Sequence, residues 1–280
     1  MAFNFLTRTG RSGRILSCEK DFNEILPYKE DDEIIHFEDQ QLVHQPVLIA
    51  VDSSSSMKNR ETLSGRENIE LANDLLVQIG SDPDFTEADK KTTDICLMSF
   101  SNGVTEILSW QPLSLYEGSA HIYAHGSTAL HSTVCKALEA VHDLKASYAL
   151  SGIQCKRPQI FIFTDGYSTD SADVREKARE MCRKYVDSKK VTLNFILLPG
   201  SGTEDAKELS PMVKLYRAED CTHGLPACAE FINASIVAFS SSAPGSEAEV
   251  PLPKWLKTTQ PVKTDENGNR TVDVDVDVWN

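Results

Sequence analysis

The sequence predicts an α/β fold: a doubly wound, mostly parallel sheet with helices on both faces and one antiparallel strand at its edge. Continuous apolar runs that stop at an aspartate, PVLIAVD at 46–52 and PQIFIFTD at 158–165, have the pattern of parallel strands buried on both sheet faces. Segments with helical spacing of apolar residues follow such runs at regular intervals, the alternation that builds a parallel sheet through right-handed crossovers. Asn102-Gly103, set between two further strand-like runs, marks a tight hairpin and hence an antiparallel neighbour.

Residues 1–44 begin basic, turn acidic through EKDFNEILPYKEDDEIIHFEDQQ and keep no sustained period, so they read as an arm laid over the domain. The domain itself runs from 45 to 240. PVLIAVD is its central strand. RENIELANDLLVQIG then places Ile69, Ala72, Leu75, Leu76 and Ile79 on one helical face, and Gly80 with Asp82-Pro83 ends that helix. The hairpin TTDICLMSFS and VTEILSW follows, and after a loop over 111–127 the stripe Leu130, Val134, Leu138, Val141, Leu144 predicts a long helix. PQIFIFTDG is the next buried strand, followed by a charged helix around ADVREKAREMCRKYVD. The remaining elements are the strand VTLNFILLP, a short helical piece near EDAKELS, a strand KLYRA and a helix PACAEFINASIVAF. Residues 241–280 read as a Ser/Pro-rich linker and an acidic tail ending TVDVDVDVW.

With 280 residues and a formal net charge of −14, and with no basic patch of useful length, the chain is expected to repel nucleic acid and anionic membrane. Its longest apolar runs are strand-sized, too short to span a bilayer. Seven cysteines lack the short spacings of a zinc ribbon or a redox pair, and several sit inside apolar runs such as DICLMSF, which favours a reducing compartment and a cytoplasmic location.

Three separate places set small oxygen-bearing residues beyond the carboxyl ends of strands, where open α/β sheets place their ligands. The first is Asp52-Ser53-Ser54-Ser55-Ser56, in which the alternate residues Asp52, Ser54 and Ser56 can turn their oxygens into one loop cavity. The second is Gly126-Ser127-Thr128-Ala129-Leu130, at the entry to the long helix. The third is Thr164-Asp165-Gly166. Each has an ordinary reading when taken alone: a serine run is commonly a linker, Thr128 a helix cap, Asp165-Gly166 a turn.

At these residues, over roughly 45–240, the chain resembles the von Willebrand factor A (vWA) family, whose metal-ion-dependent adhesion site (MIDAS) combines Asp-x-Ser-x-Ser with a distant Thr and a distant Asp followed by Gly. The resemblance implies a Rossmann-like sheet of six strands in which the hairpin strand alone is antiparallel. It also implies that Ser54, Ser56 and Thr128 supply hydroxyl oxygens to a divalent cation, while Asp52 and Asp165 bind directly or through water. Magnesium is the expected ion, with manganese or calcium as alternatives, and a protein partner's acidic residue fills the open coordination position. Ser55 and Ser127 stand where the family often has glycine. SDPDFTEADKK and TDGYSTD look like the bacterial vWA proteins linked to tellurium resistance and phosphorylation signalling, which implies an adaptor of a stress-response complex rather than an enzyme.

Two other function classes compete. A metal-dependent phosphohydrolase or phosphotransferase would use Asp52 as nucleophile or ligand, but its signature wants a second aspartate where Ser54 stands. A structural interaction domain would leave the site without metal. Asp170 reads as a cap for the following helix; His121, His125, His131 and Cys135 read as packed or surface residues rather than zinc ligands. Tyr123, His125 and Tyr167 fall near the expected metal face. Asp273, Asp275 or Asp277 of the tail could enter the metal site, although a solvated end is the simpler reading.

Overall fold

The computed structural model describes residues 42–240, 242, 250 and 252–258. Strands β1 (Gln45–Asp52), β2 (Thr93–Phe100), β3 (Val104–Pro112), β4 (Gln159–Thr164), β5 (Thr192–Leu197), β6 (Lys214–Ala218) and β7 (Leu256–Thr258) form one sheet in the order β3-β2-β1-β4-β5-β6-β7. The inner pairs are parallel, whereas β3 and β7 run antiparallel to β2 and β6 at the two edges. The helices are α1 (Asn68–Gln78), α2 (Glu87–Thr92), α3 (Leu130–Ser151), α4 (Ala172–Cys182), α5 (Glu204–Lys207) and α6 (Cys221–Ser240).

The apolar run of β1 is continuous because both of its faces are covered. Val47, Ile49 and Val51 join the core under α1 and α6, where Leu75, Leu76, Ile232 and Ile236 are fully buried. Leu48 and Ala50 point the other way, into the core under α3 and α4 with Val134, Leu138, Val141 and Met181. β4 repeats the alternation, with Phe161 and Phe163 on the first side and Ile160 and Ile162 on the second. The period of two along each strand thus feeds two cores at once.

The expected count of six strands with a single antiparallel member is corrected to seven with two. β7 lies beyond residue 240, in the segment read as linker, and its three residues carry no alternating apolar signal. It forms because Leu256 is 3% exposed, Leu252 and Trp255 pack against the α1/α6 core, and Glu219 N–H donates to the Trp255 carbonyl at 3.0 Å. Its pairing covers what would otherwise be an open β6 edge.

α6 starts at Cys221, not at Pro226. Asp220 caps it, accepting from His223 N–H at 2.6 Å, and Pro226 in the second turn withdraws only one N–H from the ladder. α2 carries no apolar stripe; a capping box between Thr86 and Asp89 starts it. Of the expected arm, only residues 42–44 are among those described, and the valine–aspartate tail with Asp273, Asp275 and Asp277 lies outside them. Among the described residues no helix is long and apolar enough to cross a membrane.

Candidate metal centre

Strand order reverses between β1 and β4: the chain leaves β1 for β2 on one side, while β4 pairs on the other. Such a switch point opens a crevice outside the carboxyl ends of the two strands. β1 ends at Asp52, and Asp165 follows the last residue of β4.

The loop after β1 is wound tightly by its own aspartate. Asp52 Oδ1 accepts from Ser54 N–H at 2.8 Å, and Ser55–Lys58 makes a single 3-10 turn. Met57, fully buried in the α1/α6 core, pins that turn from below. The result sets the Ser54 and Ser56 hydroxyls 2.9 Å apart, and Ser56 Oγ donates to Asp165 Oδ1 at 2.7 Å. Thr164 closes the circuit by donating to Asp52 Oδ2 at 2.7 Å. Asp52 is 0% exposed.

The Thr128 loop is laced onto both neighbours. His125 N–H donates to the Ser53 carbonyl at 2.7 Å and Ser55 N–H to the Gly126 carbonyl at 3.0 Å. Ser127 donates from N–H and hydroxyl to Asn102 Oδ1 at 2.9 and 3.0 Å. Gly126 has φ +72°, and a Cβ there would lie 2.4 Å from Asn102 Oδ1, so the position takes glycine on both counts. A Cβ on Gly166 would sit 3.2 Å from Thr128 Oγ1 and 3.8 Å from Ser56 Oγ, which places Thr128 in the same small space as the other oxygens. The structure therefore brings all five residues, Asp52, Ser54, Ser56, Thr128 and Asp165, to one crevice.

No family model matches the sequence, and no curated protein matches it. Among solved structures, proximal thread matrix protein 1 from the mussel byssus is similar with TM-score 0.50 and 16% identity, over 69% of this chain and 48% of that one. The chain thus spans about half the length of this neighbour. A second structure of the mussel protein, with zinc occupying its MIDAS motif, aligns with TM-score 0.49 and 15% identity over 69% and 48% of the two chains. The ArnB paralog VWA2 from Sulfolobus acidocaldarius aligns with TM-score 0.43 and 20% identity over 68% and 45%. The chain has a von Willebrand factor A fold.

In this crevice burial pushes the Asp52 carboxyl up to about 6, against the hydrogen bonds from Thr164 and Ser54, and the Asp165 charge pushes the same way. Burial also raises Asp165, against the Ser56 hydroxyl. A buried and a half-buried carboxylate, beside three hydroxyls, are a hard-oxygen donor set that a divalent cation would satisfy. Ser54, Ser56 and Thr128 would hold such an ion through hydroxyls and Asp52 and Asp165 through carboxylates; bound there, it would act as a Lewis acid towards an oxygen ligand. Beside Ser56 and Asp165 lies an open cavity of about 440 Å³, lined also by Asn59, Arg60, Asn68 and Cys221. Tyr123 and Tyr167, on the loops carrying Thr128 and Asp165, are 74% and 62% exposed.

A second polar cluster was not legible in the sequence. His131 is fully buried, its Nε2 lying 2.8 Å from Glu208 Oε1, and with Asp205 these residues could in principle hold an ion. The carboxylates are already engaged: Arg175 donates to Asp205 at 2.6 Å and to Glu208 at 3.1 Å, and Ser168 N–H to Asp205 at 2.7 Å. Burial, then the Arg175 charge, lowers the His131 pKa against the pull of Glu208, Asp205 and Asp170, which favours the neutral ring inside this ion-pair network. Asp170, expected to cap the following helix, caps the preceding long one: its Oδ2 accepts from His131 N–H at 2.7 Å and Ser132 N–H at 3.2 Å. The helix explains this, because Ala129 at its N-cap has no side-chain acceptor.

Proposed function

We propose that the chain is a metal-dependent protein-interaction module. Asp52, Ser54, Ser56, Thr128 and Asp165 hold a divalent cation, magnesium in the first instance, and an acidic side chain of a protein partner completes its coordination. The observation that carries this reading is the meeting of oxygens from three separate loops at the sheet's switch point. Mostly neutral hydroxyls would leave the ion electron-poor and receptive to an incoming carboxylate. The cavity beside Ser56 and Asp165, with Arg60 on its wall, offers room for the residues flanking that carboxylate.

Binding rather than turnover is the proposed activity. A phosphoryl-transfer reading needs Asp52 free to attack, yet this carboxylate is fully buried and both of its oxygens accept hydrogen bonds. The resemblance to vWA proteins linked to tellurium resistance supports an adaptor role in an intracellular stress-response or phosphorylation-signalling complex. The test is capture of proteins from native extract by wild type, Asp52→Ala and Thr128→Ala, each with magnesium or with chelator. Proteins retained only by wild type with magnesium support the module; capture that chelator and both substitutions leave unchanged overturns it.

A further inference from the structure

The segment Ser168-Thr169-Asp170 grips the Thr128 loop at both of its backbone groups. Thr169 N–H donates to the Thr128 carbonyl at 2.9 Å, the Thr169 hydroxyl donates to the same carbonyl at 3.1 Å, and Thr128 N–H lies 3.2 Å from Thr169 Oγ1. One residue on, Asp170 holds the first turn of α3 through His131 N–H and Ser132 N–H, and accepts from the Ser132 hydroxyl at 2.5 Å. The gripping segment is itself anchored: Arg175 donates to the Ser168 carbonyl at 2.7 Å and the Asp170 carbonyl at 3.3 Å while pairing with Asp205 on α5.

From this geometry we infer that Thr169 and Asp170 are positioning residues of the metal centre, a clasp that fixes the Thr128 hydroxyl against the Asp165 loop. The inference rests on the metal reading proposed above. A metal that demands near-octahedral geometry tolerates little displacement of a ligand, and Thr128 stands on a loop that turns at a left-handed glycine just before it. The bonds to Ser53, Ser55 and Asn102 hold the front of that loop, but without the clasp the Thr128 position itself must be fixed by the ion, at the expense of affinity. Arg175 and the His131 cluster then have a function too: they hold the clasp, and α5 supplies the far anchor.

Thr169 is exposed, so its hydroxyl can be removed without disturbing a core. The experiment measures Mn²⁺ binding by the EPR signal of the free ion, together with the melting temperature in chelator, for wild type, Thr169→Val, Thr169→Ser and Ser171→Ala. Thr169→Val is expected to weaken Mn²⁺ binding about tenfold, the lower end for residues that orient metal ligands. Its metal-free melting temperature stays near wild type, Thr169→Ser recovers the affinity, and Ser171→Ala binds as wild type. Wild-type affinity in Thr169→Val overturns the clasp. So does a loss of affinity that follows a matching fall in metal-free stability and is not recovered by serine. Absence of Mn²⁺ binding by wild type refutes the metal reading itself and the clasp with it.

Discussion

Replacing Asp52 by asparagine removes a buried charge while leaving nearly the same shape, and the structure fixes the sign of the result. The folded carboxyl titrates near 6, against an ordinary 3.8, so between those values the native state binds more protons than the unfolded chain. Stability contributed by this group is therefore greatest at low pH and falls as pH rises through about 6. At pH 7.5 without metal the buried carboxylate costs about 3 kcal/mol, at about 1.4 kcal/mol per pH unit. Asparagine escapes that cost, but with its carbonyl on Ser54 N–H its NH₂ faces Thr164 Oγ1, which must turn from donor to acceptor and give up its present donation, at about 1 kcal/mol. The net expectation in chelator at pH 7.5 is a gain of about 1–2 kcal/mol, a rise of roughly 3–6 °C for a domain of this size. Saturating magnesium should reverse the ranking, because wild type gains about 2.7 kcal/mol at a hundredfold excess over Kd and the variant gains little. Thermal melts of both proteins, with chelator and with magnesium, at pH 7.5 and pH 5, measure all of this. A variant less stable than wild type in chelator at pH 7.5, or one that magnesium stabilises as much as wild type, refutes the reasoning.

Further expectations follow from the same geometry. Mn²⁺ affinity measured by titration should fall as pH drops below about 6, where protons compete for Asp52; a flat profile from pH 7.5 to 5 would remove Asp52 from the ligand set. Gly126→Ala must place a Cβ against Asn102 at a positive φ, so urea unfolding should show a loss of about 1–3 kcal/mol, and Mn²⁺ affinity should fall with it. Leu256→Ala, at a buried position of the added edge strand, should cost about 2–4 kcal/mol in the same assay; a neutral result would mean that β7 contributes nothing to the fold.

What was legible in the sequence is what repeats or what carries special chemistry. The β1 and β4 runs, the α1 and α3 stripes and the Asn102-Gly103 hairpin each state their structure locally, because burial on both sheet faces or on one helix face dictates residue type at a fixed period. The convergence of the oxygen-bearing loops was legible only from their combination: each alone reads as a linker, a cap or a turn, but two of them directly follow buried strands and the third opens a long helix at the same sheet end. What stayed hidden depends on partners distant in sequence. β7 exists because β6 presents an edge and the α1/α6 core accepts Trp255 and Leu256, none of which shows in the residues 256–258. α2 is wholly polar and held by its cap. Asp170 is sequence-adjacent to α4 yet caps α3, since the β4–α4 loop passes over the start of the long helix. The His131 cluster joins residues 131, 170, 175, 205 and 208, a set without any local period to betray it.

Anomalous scattering from crystals of the chain soaked in Mn²⁺ would locate the ion without reference to any partner. The expected result is one strong peak within coordination distance of the Ser54, Ser56 and Thr128 hydroxyls, next to the carboxylates of Asp52 and Asp165. A peak at His131, Asp205 and Glu208 instead, or no peak in the crevice at all, would contradict the account.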